Sequence, residues 1–238
     1  MTVYIQEYPN RYPVSANVYA AWDGFKSLHI QTKGFQLVDE LRNLAPEDIV
    51  VGGVGIVTRR LEDLGILTKS IDYPDELTPY LGRKIWKTTL DDVVENGEWP
   101  VFIKPAREKA FSGFVLRTTT DLDQCMSYNG IVYCSEVLEF SAEWRVFVRY
   151  GEILGIKQYK GDLCIAYDRD FIEDAVKKYH SAPAGFALDF GRTTDGQMVF
   201  VEMNDGYSLG NYGLDPVLYA RLLSARWAEL TGTVDVLR

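Results

Sequence analysis

The stretch ALDFGRTTDGQMVFVEMNDG, residues 187–206, decides how we interpret this chain. It divides into two predicted β-strands joined by a Gly-containing turn, residues 186–190 and 198–203. Side chains two apart on a strand share a face, so Glu202 and Asn204 point the same way, and a hairpin can bring Asp189 beside them. Two carboxylates and an amide oxygen suit Mg²⁺ on nucleotide phosphates, although an ordinary hairpin with a polar outer face would carry the same residues.

The bulk composition is that of a globular, acidic chain. It has 238 residues, with 47% hydrophobic and 13% aromatic residues, and 25 basic against 34 acidic side chains give 25 − 34 = −9. This charge argues against a general nucleic-acid or membrane-surface binder, and no apolar run reaches the ~18 residues of a membrane span. Three cysteines without CxxC spacing argue against disulfide frameworks and zinc sites, and they favour reduced thiols in the cytoplasm.

The first part of the chain reads as a small α/β unit. We predict a helix, a short buried strand and a second helix there, at residues 35–44, 48–51 and 54–64. The proline-containing stretch 72–81 predicts a connection, which divides the chain into an N-terminal α/β domain and an α+β domain, residues 1–82 and 83–238. Near the end, Asp215 followed by Pro216 predicts the start of a closing helix.

Lys104 ends a predicted apolar strand, PVFIKP, and is followed by a loop with Lys109, Ser112 and Gly113. A lysine that extends its charge from a strand end is common and needs no ligand. Two lysines, a hydroxyl and a glycine around one strand–loop–strand can also fold over phosphates, through point charges and backbone N–H groups. The P-loop pattern GxxxxGK[ST] is absent, so a nucleotide here would lie between sheets.

Glu136 and Glu143 flank the apolar pair Val137-Leu138, in the sequence SEVLEFSAEWRVFV. Backbone groups of such a pair can bind an adenine edge and a carboxylate can accept ribose hydroxyls, but two glutamates on a solvated edge would look the same. Arg145 lies within an apolar strand, so its charge needs a partner such as a phosphate or a carboxylate.

In this order, a strand lysine, an E-x6-E-x-R segment and a D-x12-E-x-N hairpin, the chain resembles the ATP-grasp family. The resemblance covers about residues 83–238 and implies an ATP-grasp fold, in which two α+β subdomains grip ATP, with a lid at about 100–135 and a core at about 136–238. It places residues 1–82 as the preceding α/β domain.

The resemblance also implies roles for the residues already named. Lys104 would bind phosphate, Glu136, Val137 and Leu138 would contact adenine, and Glu143 would hold ribose. The family has a further basic residue ahead of the lid, for which LGRKIWKTTL offers Arg83, Lys84 and Lys87. We favour Arg83 together with Lys104 and Lys109, because the chain resembles a divergent branch whose signature is one arginine and two lysines. The metal ligands would be Asp189, Glu202 and Asn204.

Most members of the family are ADP-forming carboxylate–amine ligases that pass through an acylphosphate with ATP and Mg²⁺. The resemblance implies that activity here, with Arg145 and Lys104 as catalytic residues and a small-molecule or peptide carboxylate and an amine as partners. Tyr207, Ser208 and Asn211 are candidate acceptor contacts. A phosphotransferase on the same scaffold, or a nucleotide-binding protein without turnover, are the alternatives, and the sequence does not indicate an oligomeric state.

Overall fold

A computed structural model describes residues 1–68, 71–106, 110–125 and 127–238. The N-terminal unit has a three-stranded parallel sheet in the order β2-β1-β3, which we call the N-terminal sheet. Its elements are β1 (Val3–Gln6), α1 (Ala16–Ser27), β2 (Thr32–Phe35), a 3₁₀ turn (Val38–Leu41), β3 (Ile49–Val51) and α2 (Val54–Asp63). The predicted strand at 48–51 and helix at 54–64 are therefore confirmed to within one residue at each end.

The helix predicted at residues 35–44 is wrong. Phe35 belongs to β2, where it pairs in register with Gln6 of β1. The Glu40 carboxylate then accepts hydrogen bonds from the backbone N–H groups of Gln36 and Leu37, at 3.0 and 2.8 Å, which closes a turn in place of a helix. The apolar spacing was that of a helix, but sheet pairing at one end and a side-chain cap in the middle outweighed it.

The segment after the connection forms a four-stranded antiparallel sheet in the order β4-β7-β5-β6, which contains Lys104 and which we call the lysine sheet. Its elements are β4 (Ile85–Thr89), α3 (Leu90–Asn96), β5 (Val101–Pro105), β6 (Phe114–Leu116), a 3₁₀ turn (Thr119–Gln124) and β7 (Ile131–Ser135). The connection itself contains a 3₁₀ helix, Asp75–Tyr80. The sheet therefore includes β4, ahead of residue 100.

The C-terminal part forms a second four-stranded antiparallel sheet in the order β11-β10-β8-β9, which we call the acidic sheet. Its elements are β8 (Phe140–Arg149), β9 (Glu152–Gly161), α4 (Arg169–Lys178), β10 (Gly185–Thr193), β11 (Met198–Asp205) and α5 (Pro216–Thr231). The predicted hairpin is β10 and β11. The predicted start of α5 is confirmed, because the Asp215 carboxylate accepts from the N–H groups of Val217 and Leu218.

Alternation along β8 and β10 divides the acidic sheet into two faces with different coverings. One face buries Val146, Leu188 and Phe190 against α4. On the other face Phe147 and Ala187 join the core of the N-terminal unit and α5. The polar residues of that same face lie farther along the strands, where no helix covers them, and they form the site described next. No helix in the described part of the chain has the length and apolar character needed to cross a membrane.

Candidate functional site

Strand register places three charged side chains in one row across the acidic sheet. Asp189 of β10 pairs with Arg145 of β8 on one side and with Glu202 of β11 on the other. Asn204 lies two residues beyond Glu202 and therefore on the same face. The register of β10 and β11 shifts immediately after Asp189. The hairpin therefore brings together the carboxylates and the amide that the sequence predicted, and β8 adds the arginine.

Arg145 and Asp189 form a buried, two-pronged ion pair. Nε and Nη2 of Arg145 each lie 2.7 Å from a carboxylate oxygen of Asp189, and the two side chains are only 6% and 3% exposed. Burial alone lowers the pKa of Arg145, but the hydrogen bonds and charge of Asp189 outweigh it and raise that pKa above its ordinary value. Burial raises the pKa of the Asp189 carboxyl to about 6 against the opposing effect of Arg145, so the pair is charged at neutral pH.

The donor set of the row fits a hard divalent cation. Asn204 Nδ2 donates to Asp189 Oδ2 at 3.2 Å, which leaves the amide oxygen Oδ1 free of that contact. Glu202 is about one-third exposed and accepts from Lys104 through Oε2 only, so Oε1 is not used in that contact. The described residues contain no group of three His, Cys, Asp or Glu side chains that could hold a metal. The candidate set is instead two carboxylates and an amide oxygen, which are ligands that Mg²⁺ accepts.

Lys104 reaches from the lysine sheet to the acidic sheet. Its Nζ lies 2.7 Å from Glu202 Oε2 and 2.7 Å from Asp72 Oδ1, and 4.5 Å from the centre of the Tyr73 ring. The residue is only 8% exposed. Burial lowers its pKa, but the charges of Glu202 and Asp72 outweigh that effect, so its pKa lies above the ordinary value and the amine is charged. The lysine thus lies beside the metal candidates.

Asp72 is a site residue that the sequence did not reveal. It belongs to the connection ahead of the lysine sheet, and its carbonyl oxygen accepts a 2.9 Å hydrogen bond from the N–H of Met203 on β11. An acidic residue in a proline-containing connection carries no pattern that points to a site. Only the fold of the connection along β11 brings it there.

The basic candidates ahead of the lid have different surroundings. The Arg83 guanidinium donates to the backbone carbonyls of Leu81, Phe200 and Val201, at 3.0, 2.8 and 2.9 Å. Burial lowers its pKa. Lys84 and Lys87 lie over aromatic rings, of Trp86 and Tyr133 respectively. Arg83 therefore reaches the strand that carries Glu202 with part of its guanidinium already in use. Lys109, the third candidate, lies outside the described residues.

The predicted adenine and ribose residues connect the two four-stranded sheets. Glu136 follows β7 directly, and its carboxylate accepts from the Lys84 N–H at 2.8 Å. Val137 and Leu138 are half-buried between β7 and β8. Glu143 lies on β8, is 6% exposed, and contacts the Tyr159 hydroxyl at 3.0 Å and Lys160 Nζ at 2.6 Å. The segment 136–138 therefore occupies the hinge, whereas Glu143 is held by side chains of β9.

The segment after Asn204 covers the end of the row. Ser208 Oγ donates to the Gly52 carbonyl at 3.0 Å, so this segment reaches the N-terminal unit. Asn211 is buried, and its side chain donates to the Leu214 carbonyl, so it shapes the loop. The Tyr212 ring lies 4.7 Å from the Arg145 guanidinium and stacks on Tyr159. Of the three predicted acceptor contacts, Tyr207 and Ser208 line the cleft described next.

A cleft of about 1030 Å³ joins these parts. The lysine sheet borders it through Lys104 and Ser112, and the acidic sheet through Glu202 and Asn204. The N-terminal unit contributes one side of α2, and the connection contributes Asp72. The cleft is large enough for a nucleotide phosphate tail and a second small molecule, and it has a buried cation on one wall and hard oxygen donors on another. This arrangement can bind a metal-complexed polyphosphate beside an acceptor.

Known proteins match this chain both through a family model and through the fold. The family model describes an ATP-grasp domain, family 2 of the clade named for one arginine and two lysines, and it matches residues 80–222. No curated protein sequence matches the chain. Three similar solved structures are N5-carboxyaminoimidazole synthetase from Staphylococcus aureus (TM-score 0.61, 11% identity, 98% of this chain and 77% of that chain), D-alanine–D-alanine ligase from Bacillus anthracis (0.56, 12%, 97% and 98%), and macrocyclase MdnC from Microcystis aeruginosa, bound with the precursor peptide MdnA (0.51, 14%, 94% and 99%). At these identities the structural matches establish the fold, and the family model covers more than half of the chain.

Proposed function

The chain belongs to the ATP-grasp family, in family 2 of the clade named for one arginine and two lysines, and from this premise we propose that it is an ATP- and Mg²⁺-dependent ligase that joins a carboxylate to an amine and forms ADP. The similar structures include a D-alanine–D-alanine ligase and a macrocyclase, and both share the fold at low identity. The observation that carries the proposal is the row Arg145–Asp189–Glu202 with Asn204 beside it, opposite Lys104 across the cleft.

Asp189, Glu202 and Asn204 would hold Mg²⁺, and their hard oxygen donors support this assignment. When bound, the metal would neutralise phosphate charge and act as a Lewis acid. Lys104 would bind the phosphates from the lysine sheet, as an ammonium kept charged by its carboxylate neighbours. Arg83, close to the Glu202 strand, and Lys109 would add positive charge, and the hinge residues 136–138 would contact the adenine.

Arg145 would stabilise the transferring phosphoryl group and the later tetrahedral intermediate. Two of its nitrogens bind Asp189, and the Nη1 group lies next to Gly210, where an added Cβ would come within 3.3 Å of that nitrogen. A guanidinium fixed at two points needs no reorganisation during the reaction, which is how such charges contribute most to catalysis. Asp189 would thus serve both as a metal ligand and as the residue that orients Arg145.

The reaction would proceed in two displacements. A substrate carboxylate oxygen attacks the γ-phosphorus, the bond to the ADP oxygen breaks, and an acylphosphate forms. The amine nitrogen then attacks the acyl carbon, phosphate leaves with the bonding electron pair, and the nitrogen gives up a proton to form the amide. The chain's charges act on phosphate and oxyanion in both steps, so no protein nucleophile is needed.

The acceptor would occupy the part of the cleft that lies between α2 and the segment 205–208. Tyr207 and Ser208 line it from one side, and Gly55, Thr58 and Arg59 of α2 line it from the other. Polar backbone and hydroxyl groups there suit either a small molecule or the end of a peptide. MdnC, which shares the fold, was solved with a precursor peptide.

The test is calorimetric titration of the purified protein with ATP and with ADP, each with and without Mg²⁺. We expect ATP binding that Mg²⁺ strengthens, followed by ADP release when the correct acid and amine are both present. An amide and free phosphate as products support the ligase. A stable phosphorylated acceptor would overturn the ligase proposal in favour of a phosphotransferase, and no nucleotide binding under any condition would overturn the site itself.

A further inference from the structure

Lys104 has two carboxylate partners that come from different parts of the chain. Glu202 belongs to β11 and lies in the row of metal candidates, whereas Asp72 belongs to the connection and precedes residue 80, where the family model begins. Both carboxylates lie 2.7 Å from the same nitrogen. One ammonium is therefore shared between two anions, and only one of them is adjacent to Asp189 and Asn204.

The sharing has a physical consequence for Glu202. Two carboxylates that converge on one nitrogen repel each other, and each pairs less strongly with the ammonium than it would alone. If Asp72 were neutral, the Lys104–Glu202 pair would tighten and Glu202 would be held more firmly away from a cation. Asp72 also adds negative charge near the row, which attracts a divalent cation and repels free phosphate.

The backbone fixes Asp72 in this position. Its carbonyl oxygen accepts from the N–H of Met203, the residue between Glu202 and Asn204, and its side chain is 19% exposed. The neighbouring Tyr73 places its ring 4.5 Å from Lys104 Nζ. Asp72 can therefore stay with Lys104 when Glu202 moves to another partner.

We propose that Asp72 is a positioning residue for nucleotide binding, which keeps Lys104 paired and in place while Glu202 exchanges the lysine for the metal. The proposal rests on the function proposed above, because it requires a Mg²⁺-nucleotide site at Glu202. Asp72 itself touches neither nucleotide nor metal. It acts through Lys104, and it links the connection between the two domains to the affinity of the site.

The experiment compares Asp72→Asn with the unmodified protein by calorimetric titration of ATP across a series of Mg²⁺ concentrations. We expect the half-saturating Mg²⁺ concentration to rise about fivefold or more, the size of effect that one charge-assisted hydrogen bond produces. ATP binding without Mg²⁺ should stay equal or become stronger, because a negative charge near the phosphates is lost. A merely structural role would weaken both measurements together.

Two further variants keep the test decisive. Asp72→Glu should restore most of the Mg²⁺ response, and Asp72→Asn should have no effect on it in a Lys104→Gln background, because the route through the lysine is then absent. Asp75→Asn, which removes an exposed charge three residues away, is the matched control and should behave as the unmodified protein. Thermal unfolding of each variant verifies that it folds.

Each outcome is informative. An unchanged Mg²⁺ response in Asp72→Asn overturns the role of Asp72 and leaves the nucleotide site intact. An equal loss in the Lys104→Gln background would also overturn it, since Asp72 would then act on the metal without the lysine. Failure of the unmodified protein to bind ATP at all overturns both this inference and the proposed function, and so the two failures are distinguishable.

Discussion

Arg145 and Asp189 carry the largest electrostatic consequence of any single contact in the site. Both charges are removed from water, and each has the other as a two-pronged partner. A buried pair of this kind adds little net stability, because desolvation offsets the attraction between the charges. Removal of one partner is different, since the other charge then remains buried and uncompensated. The pair is therefore a weak source of stability and a sensitive site for substitution.

Asp189→Asn should lower the free energy of unfolding by about 3 kcal/mol, because Arg145 loses its counter-charge inside the sheet. Chemical denaturation measures this. Asp39→Asn is the control, since Asp39 forms an ion pair with Arg42 in which both side chains are 68% exposed. Such pairs contribute about 0–1 kcal/mol. A loss below about 1 kcal/mol in Asp189→Asn would contradict the uncompensated-charge argument.

Lys104→Ala should weaken ATP binding about tenfold, because the variant lacks a buried ammonium that can contact phosphate. Isothermal titration with ATP measures the change. Lys177→Ala is the matched control, since Lys177 is exposed on α4, on the opposite side of the acidic sheet. Unaltered ATP affinity in Lys104→Ala would remove Lys104 from the phosphate site.

Among the elements, the contact between α1 and α5 determines how the N-terminal unit joins the rest of the chain. Gly24 of α1 faces the start of α5, and a Cβ added there would lie 1.8 Å from the Pro216 carbonyl oxygen. The two helices approach so closely because that position has no side chain. Trp227 of α5 also donates to the Pro46 carbonyl of the N-terminal unit, at 2.9 Å. This helix pair holds α2, and with it one wall of the cleft, against the acidic sheet.

Gly24→Ala should therefore lower the free energy of unfolding by about 2 kcal/mol, because the methyl group forces the two helices apart. Gly55→Ala is the matched substitution, since Gly55 is in α2 and a Cβ there meets nothing within 4 Å. It should be neutral or stabilising by up to about 1 kcal/mol, as expected for alanine in place of glycine in a helix. Equal effects of the two substitutions in chemical denaturation would contradict the close approach of α1 and α5.

At the scale of the whole molecule, the cleft lies between two sheets that meet at few points. The chain passes from the lysine sheet to the acidic sheet at residues 136–139, and Lys104 bridges the sheets through Glu202. Arg83 adds hydrogen bonds to the backbone of β11. A ligand that contacts both sheets should therefore stabilise the folded protein as a whole.

ATP with Mg²⁺ should raise the midpoint of thermal unfolding by about 5–10 °C at a ligand concentration one hundred times the Kd, because binding to the folded state alone contributes about 2.7 kcal/mol. Glu202→Gln should abolish the part of this shift that depends on Mg²⁺ while the ligand-free midpoint changes little. Glu95→Gln, on the exposed side of α3, should retain the full shift. A full Mg²⁺-dependent shift in Glu202→Gln would exclude Glu202 as a metal ligand.

Local sequence patterns predicted the parts of the fold that depend on neighbouring residues. The β10–β11 hairpin, the start of α5 at Asp215-Pro216, and the strand and helix around Gly52-Gly53 follow from alternation, capping and turn chemistry. The helix at residues 35–44 failed because Phe35 pairs with β1, a partner about thirty residues away. A periodicity argument does not include such a partner.

The sequence by itself determined the family and the residues of the metal row, because the spacing of Asp189, Glu202 and Asn204 becomes proximity once a hairpin forms. Only the tertiary structure decided that Arg145 pairs with Asp189 and that Asp72 joins Lys104. Those contacts join strands and a connection distant in sequence. Their partners are chosen by sheet order and by the need of each buried charge for a counter-charge, and neither leaves a local pattern in the chain.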